Sequence, residues 1–181
     1  MHAMPSFRTL THSQFRAALA MLEQCITRCP DEHWDATIGK YPFWQVVYHT
    51  LCFVDCYLSP SNDDFTRTVE ARQKAESAGA PPPAFNPQPR GMAELDDEYP
   101  SRRFTREEMI QYAAICRAKL DATIPNESDE TLDGPSGFPW LAKLSRAELH
   151  LYNLRHVCHH TGQLSAALRR VGVETGWVKA G

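Results

Sequence analysis

Eight histidines are spread over this chain of 181 residues. Four of them fall in one stretch, Leu149 to Gly172, which reads LHLYNLRHVCHHTGQLSAALRRVG. His156 and His160 stand one helical turn apart. At ~100° per residue, positions i and i+4 differ by only ~40° around a helix axis, so both imidazoles leave the same face. Two imidazoles placed in that way can close on one metal ion. With His156 set at ~0°, Leu149 and Ala167 fall at ~20°, His160 at ~40°, and Leu164, Val157 and Leu168 between ~80° and ~120°. The apolar stripe therefore holds His160, with His156 at its edge. His159 falls at ~300° beside Arg155, Ala166 and Arg170, and is expected to face solvent.

A third candidate sits in an earlier apolar stretch, where His49 is flanked on its own helical face by Val46, Phe53 and Cys56. His49, His156 and His160 would make a three-nitrogen site inside a bundle. Zinc takes such ligands at ~2.0–2.1 Å, and three protein ligands leave one position open for water or substrate. Nickel, copper and ferrous iron also accept imidazole, so ligand type alone does not name the metal. The competing reading is of core histidines satisfied by hydrogen bonds to neighbours such as Asn153 or Tyr48. Desolvating three imidazoles without partners is costly, which favours the metal. Asn153 and Gln163 both lie near the ligand face of the wheel, where either can orient a ligand.

Other constellations are weaker. Cys52 and Cys56 follow His49 by three and seven residues and offer a thiolate, although buried cysteine more often serves as a small apolar side chain. A four-cysteine site from Cys25, Cys29, Cys52 and Cys56 fails on reach. If the first two helices are antiparallel neighbours folding back near residue 35, Cys25 lies opposite about residue 45, and Cys52 falls ~10 Å further along. The paired Glu-x-x-His motifs of di-iron bundles and the HExxH of zinc proteases are both absent.

The elements that must position these histidines read as helices. Thr11 and Gln14 are spaced as a capping box for a first helix ending near Cys29, with Phe15, Ala18, Leu19, Leu22 and Ile26 at helical spacing. The second runs from about Pro42 to Leu58 and is apolar nearly all the way round, which calls for cover on several sides and suggests a subunit interface. Residues 59 to 103 carry seven prolines among charges. Asp64 to Ser77 is compatible with a short polar helix, and the remainder reads as a long surface excursion. A connection of that length can return along a whole helix, so a crossover between helices two and three is expected. Thr105 and Glu108 make a capping box for helix three, which ends near Pro125. A turn-rich segment follows, in which Phe138 and Trp140 can plug the bundle end or roof a pocket. Ser145 and Glu148 open helix four, and Gly172 is placed to stop it. The expected fold is all-α, a four-helix bundle in one domain spanning 1–181.

Composition narrows the function classes. The net charge of −3 argues against nucleic acid and anionic membrane as partners. No apolar run reaches membrane-spanning length, and MHAMPSFRTL lacks a secretory core. The six cysteines form no CxxC, so a cytoplasm with reduced thiols is the expected compartment.

HVCHHTGQLSAALRRVG closely resembles the closing helix of the DinB-like (damage-inducible) superfamily of metal-binding four-helix bundles. The match is a histidine, three residues, then HxGQL and an arginine near a final glycine. YPFWQVVYHTLCFVDCYL is similar to that family's second helix, with one inward histidine before an aromatic and apolar tail. The resemblance implies His49, His156 and His160 as the metal triad, with zinc or nickel as the expected ion. It also implies a long crossover and a homodimer with helix two at or near the interface. Some members transfer low-molecular-weight thiols to electrophiles, which makes a metal-dependent thiol transferase the expected activity. Metal-activated hydrolysis is the second choice. A non-catalytic metal-binding stress protein, or a bundle whose histidines are structural, are the other readings.

Overall fold

Helix formation begins at Ser6, whose hydroxyl accepts the Thr9 N–H at 3.2 Å, so α1 (Phe7–Arg28) starts one turn before the Thr11/Gln14 spacing predicts. Thr11 is buried inside the helix rather than capping it. The computed structural model describes residues 5–77, 86–88 and 102–181. After α1 the chain forms a short ribbon, where the sequence reading has only a connection. β1 (Thr37–Ile38) pairs antiparallel with β2 (Tyr41–Pro42) across Gly39, whose φ of 63° suits glycine. The ribbon leads directly into α2 (Phe43–Tyr57).

α2 is buried on most of its circumference, with Gln45, His49 and Phe53 forming a partly buried stripe, and α4, α6, α3 and the ribbon all pack on it. α3 (Asn62–Ser77) begins two residues before the expected polar helix and buries none of its residues. The rest of the excursion, 78–85 and 89–101, lies outside the described residues. Both later capping boxes are present. Thr105 caps α4 (Arg106–Thr123), and Ser145 caps α6 (Arg146–Arg170), each with the reciprocal glutamate bond. Between them lies a short α5 (Asp129–Asp133) capped by Ser128. Gly172, at φ 79°, follows the end of α6.

The four long helices form a closed ring of contacts, α1 with α4, α4 with α2, α2 with α6 and α6 with α1. α1 therefore stands across the bundle from α2, not beside it as the Cys25 comparison assumed. The connection through residues 29–42 is long enough to cross the bundle end. Side-chain pairings give the directions. Tyr48 meets Tyr112, Cys116 bonds the Leu51 carbonyl and Lys119 meets Asp55, so α2 and α4 are parallel. A parallel pair needs a connection that returns a helix length. α2 and α6 are antiparallel: His49 meets His160, and Tyr57 meets Tyr152.

Two buried polar clusters fasten these helices. Asp55, fully buried on α2, accepts from Lys119 Nζ of α4 at 2.7 Å and from Arg72 Nη1 of α3 at 2.8 Å. Burial alone would raise the Asp55 pKa, but the two cations more than offset it and hold the carboxyl below its usual range. Arg146, at the start of α6, donates to the carbonyls of Tyr57 and Ser59 at 3.0 and 2.8 Å, and its Nε bonds Glu127 at 2.8 Å. It thereby satisfies carbonyls that the end of α2 leaves open. Gly137 lies against the same corner, where an added Cβ would fall 2.4 Å from the Pro60 carbonyl oxygen. Phe138 plugs this end of the bundle against Tyr57, with ring centroids 5.1 Å apart, while Trp140 remains exposed.

Candidate metal centre

The antiparallel contact between α2 and α6 brings His49 against the pair on α6. Ring centroids are 5.1 Å apart for His49 and His156, 4.8 Å for His49 and His160, and 4.5 Å for His156 and His160. One nitrogen from each ring lies within 4.8 Å of the others, the kind of group that can hold a metal ion. Among the described residues no second such group of histidine, cysteine or acidic side chains is found. Phe53 closes one side of the group, its ring 4.9 Å from His49 and 5.2 Å from His156. His159 is exposed, as the wheel predicts, with its ring 5.0 Å from that of His160.

The donor set suits a metal. Nε2 of His49 and Nε2 of His156 are 3.1 Å apart. Two nitrogens bound at ~2.05 Å to one tetrahedral ion are held ~3.3 Å apart, so little movement is needed. Burial, followed by the neighbouring rings, lowers the pKa of His49 to about 4 and that of His156 to about 3. His160 is lowered too, chiefly by burial. All three rings are thus neutral near pH 7 and offer lone pairs. Gln163 Oε1 lies 2.9 Å from His160 Nδ1, which assigns the proton to Nδ1 and leaves Nε2 bare toward the group. Gln163 therefore takes the orienting place that Asn153 shared with it on the wheel.

The hydrogen bonds found at these rings run to one another and to Gln163. Asn153 bonds nothing through its amide, and Tyr48 donates its hydroxyl to the Pro87 carbonyl at 3.2 Å. Nor does a cysteine join the group. Burial pushes the Cys52 thiol up to about 12 and the Cys56 thiol higher still, so both stay protonated.

Beside the rings lies a cavity of about 320 Å³, walled by Ile38, Tyr41, Val46, Tyr48, His49 and His160, with Gln163 also on its lining. The ribbon tip, Gly39 and Lys40, lies over it. His156 is not part of that wall, so the group presents His49 and His160 to the cavity.

The depressed pKa values give the metal-free protein a defined acid sensitivity. Unfolded histidine titrates near ~6.5. Between that value and about 4 the unfolded chain binds protons at His49 and His156 that the folded chain refuses. Stability is therefore full above pH ~6.5 and declines as pH falls, by up to ~2.7 kcal/mol per pH unit for two rings. Urea unfolding of the metal-free protein between pH 7 and 4 checks this, and replacing both rings by glutamine should flatten the profile.

Sequence reasoning missed Glu127. Its carboxylate accepts from His150 Nε2 at 2.6 Å and from Arg146. The signal available was a histidine and an arginine in the first turns of an amphipathic helix, with nothing in the sequence to name their shared partner.

The comparisons agree with the geometry. The family model described as the DinB superfamily matches residues 14–164, a span containing all three histidines. No curated protein and no solved structure gives a significant match. Over most of its length, then, this chain belongs to the DinB superfamily.

Proposed function

We propose that the chain is a metal-dependent enzyme in which His49, His156 and His160 hold a divalent ion, zinc or nickel, with one coordination position turned toward the cavity. The reaction proposed is the transfer of a low-molecular-weight thiol to an electrophile. One observation carries the reading: two of three converging neutral imidazoles also form the wall of a cavity of about 320 Å³. A divalent ion there would supply a positive charge that keeps a bound thiol deprotonated near neutral pH. The chain's own residues do the remainder. Burial keeps the three rings neutral, Gln163 aims His160 Nε2, and Phe53 with the ribbon shields the group from bulk water. Among the described residues lining the cavity there is no carboxylate to serve as a general base. That favours a reaction whose nucleophile needs only to be kept ionised.

The step balances simply. The thiolate sulfur forms a bond to an electrophilic carbon, the bond from that carbon to a halide breaks, and the thiol proton goes to solvent. Zinc- or nickel-loaded protein incubated with cysteine or glutathione and a halogenated nitrobenzene should show turnover that needs both thiol and metal. Metal-dependent ester hydrolysis without thiol would favour the hydrolase instead. A loaded protein inert in both assays would favour a non-catalytic metal-binding role.

A further inference from the structure

Four residues on α6 carry polar atoms that lack any protein partner although they are sealed from solvent. Three of them are neighbours along the helix: His150 at Nδ1, Asn153 at both amide atoms, and His156 at Nδ1, with the Thr161 hydroxyl further on. His150 and Asn153 are fully buried. Leaving such atoms unsatisfied is costly, and native proteins meet that cost with internal water. The three residues are spaced i, i+3, i+6. With Asn153 set at ~0°, His150 lies at ~60° and His156 at ~300°, each ~4.5 Å away along the axis. Asn153 is thus flanked along the helix by the two histidines, less than one turn from either.

We propose that this interior binds ordered water on Asn153, and that the water completes a hydrogen-bond relay from His156 to Glu127. The donors fit in one direction. Nε2 of His156 lies 3.1 Å from Nε2 of His49. With that nitrogen accepting, from His49 or from a metal ion, Nδ1 carries the His156 proton and donates to water, which donates in turn to Asn153 Oδ1. The amide Nδ2 of Asn153 donates through a second water to His150 Nδ1. His150 Nε2 then donates to the Glu127 carboxylate at 2.6 Å. The relay fixes the tautomer and orientation of His156 from behind, as Gln163 does for His160, and makes Asn153 a positioning residue.

The water itself does not depend on the metal, whereas the consequence for ion affinity rests on the function proposed above. A crystal structure of the metal-free protein, with histidine nitrogen NMR on the same form, tests the relay. Expected are ordered waters within about 3.2 Å of Asn153 Oδ1 and His156 Nδ1, with the His156 proton on Nδ1 and the His150 proton on Nε2. Asn153→Leu should shift the His156 Nδ1 resonance and lower zinc affinity about tenfold or more, with no loss of thermal stability in the metal-free form. A purely structural asparagine would show the reverse, lost stability and an unmoved resonance. Dry density around Asn153 overturns the proposal, as does an unmoved His156 resonance in the variant. Should the leucine variant fail to fold, the wild-type water positions decide alone. A wild type that binds no zinc removes the metal reading, and the relay is still judged by the water and the resonance.

Discussion

His160→Ala is expected to abolish metal uptake at concentrations that saturate the wild type, from about one ion per chain to none. His160 is the member of the group that is both oriented by Gln163, at 2.9 Å, and set in the cavity wall. Losing an outer partner of a metal ligand typically costs ten- to a hundredfold in affinity, so losing the ligand should cost more than ~100-fold. The bundle should survive, because the ring is only partly buried and stands beside existing space. Metal analysis after dialysis, with circular dichroism as the control for folding, gives the answer. Occupancy unchanged by the substitution would falsify the triad. Glutamine at 163 matters less, and Gln163→Leu should weaken binding while leaving the ion in place at high concentration.

The second large effect is on stability. Lys119→Met keeps the length and apolar stem of the side chain but strips Asp55 of one of its two cations. Asp55 is fully buried, so the carboxylate is left partly uncompensated in a low-dielectric interior. Removing one partner from a buried pair costs on the order of 3–5 kcal/mol, or ~6–20 °C in midpoint temperature for a domain of this size. The penalty has a pH signature. The folded Asp55 carboxyl is held below its normal range, so the pair contributes above the unfolded value of ~3.9 and is lost as pH falls through the folded value. The gap between variant and wild type should therefore narrow in acid. A loss below ~1 kcal/mol at pH 7 would mean that Arg72 and the neighbouring hydroxyls suffice. Asp55→Asn with Lys119→Met should cost less than the sum of the two single changes, since the charge left stranded by one is removed by the other.

His49 was joined to the pair on α6 by its place inside another apolar helix and by the family resemblance. The shared face of His156 and His160 was legible because helical periodicity is a local property: i, i+4 spacing on an apolar stripe survives folding unchanged. The same holds for the Thr105/Glu108 and Ser145/Glu148 capping boxes, both found where the spacing put them. Thr11/Gln14 failed because Ser6 offers an earlier cap, and a capping pattern inside a continuing helix has no meaning. Neighbour relations were not legible. A helical wheel shows which face is buried but not which helix covers it, so α1 was set beside α2 instead of across from it. For the same reason the cluster at Asp55 was missed, since its partners Arg72 and Lys119 lie 17 and 64 residues away in sequence. Between Asn153 and Gln163 the wheel could not choose. They flank the midpoint of the His156/His160 pair on opposite sides at similar offsets, and only the folded helix shows that Gln163 bonds a ring directly while Asn153 does not.

Arg146 has a bearing on the metal group that its position does not suggest. It lies ten residues before His156, ~15 Å along the helix. By clasping the carbonyls of Tyr57 and Ser59 it pins the first turn of α6 to the last turn of α2. The phase of one helix against the other is thereby set at the far end, like the indexing pin of a rotating shaft. A slip of one residue there would turn both α6 imidazoles by ~100° and scatter the three nitrogens. The alignment of the histidines is thus stored in a guanidinium that never meets them.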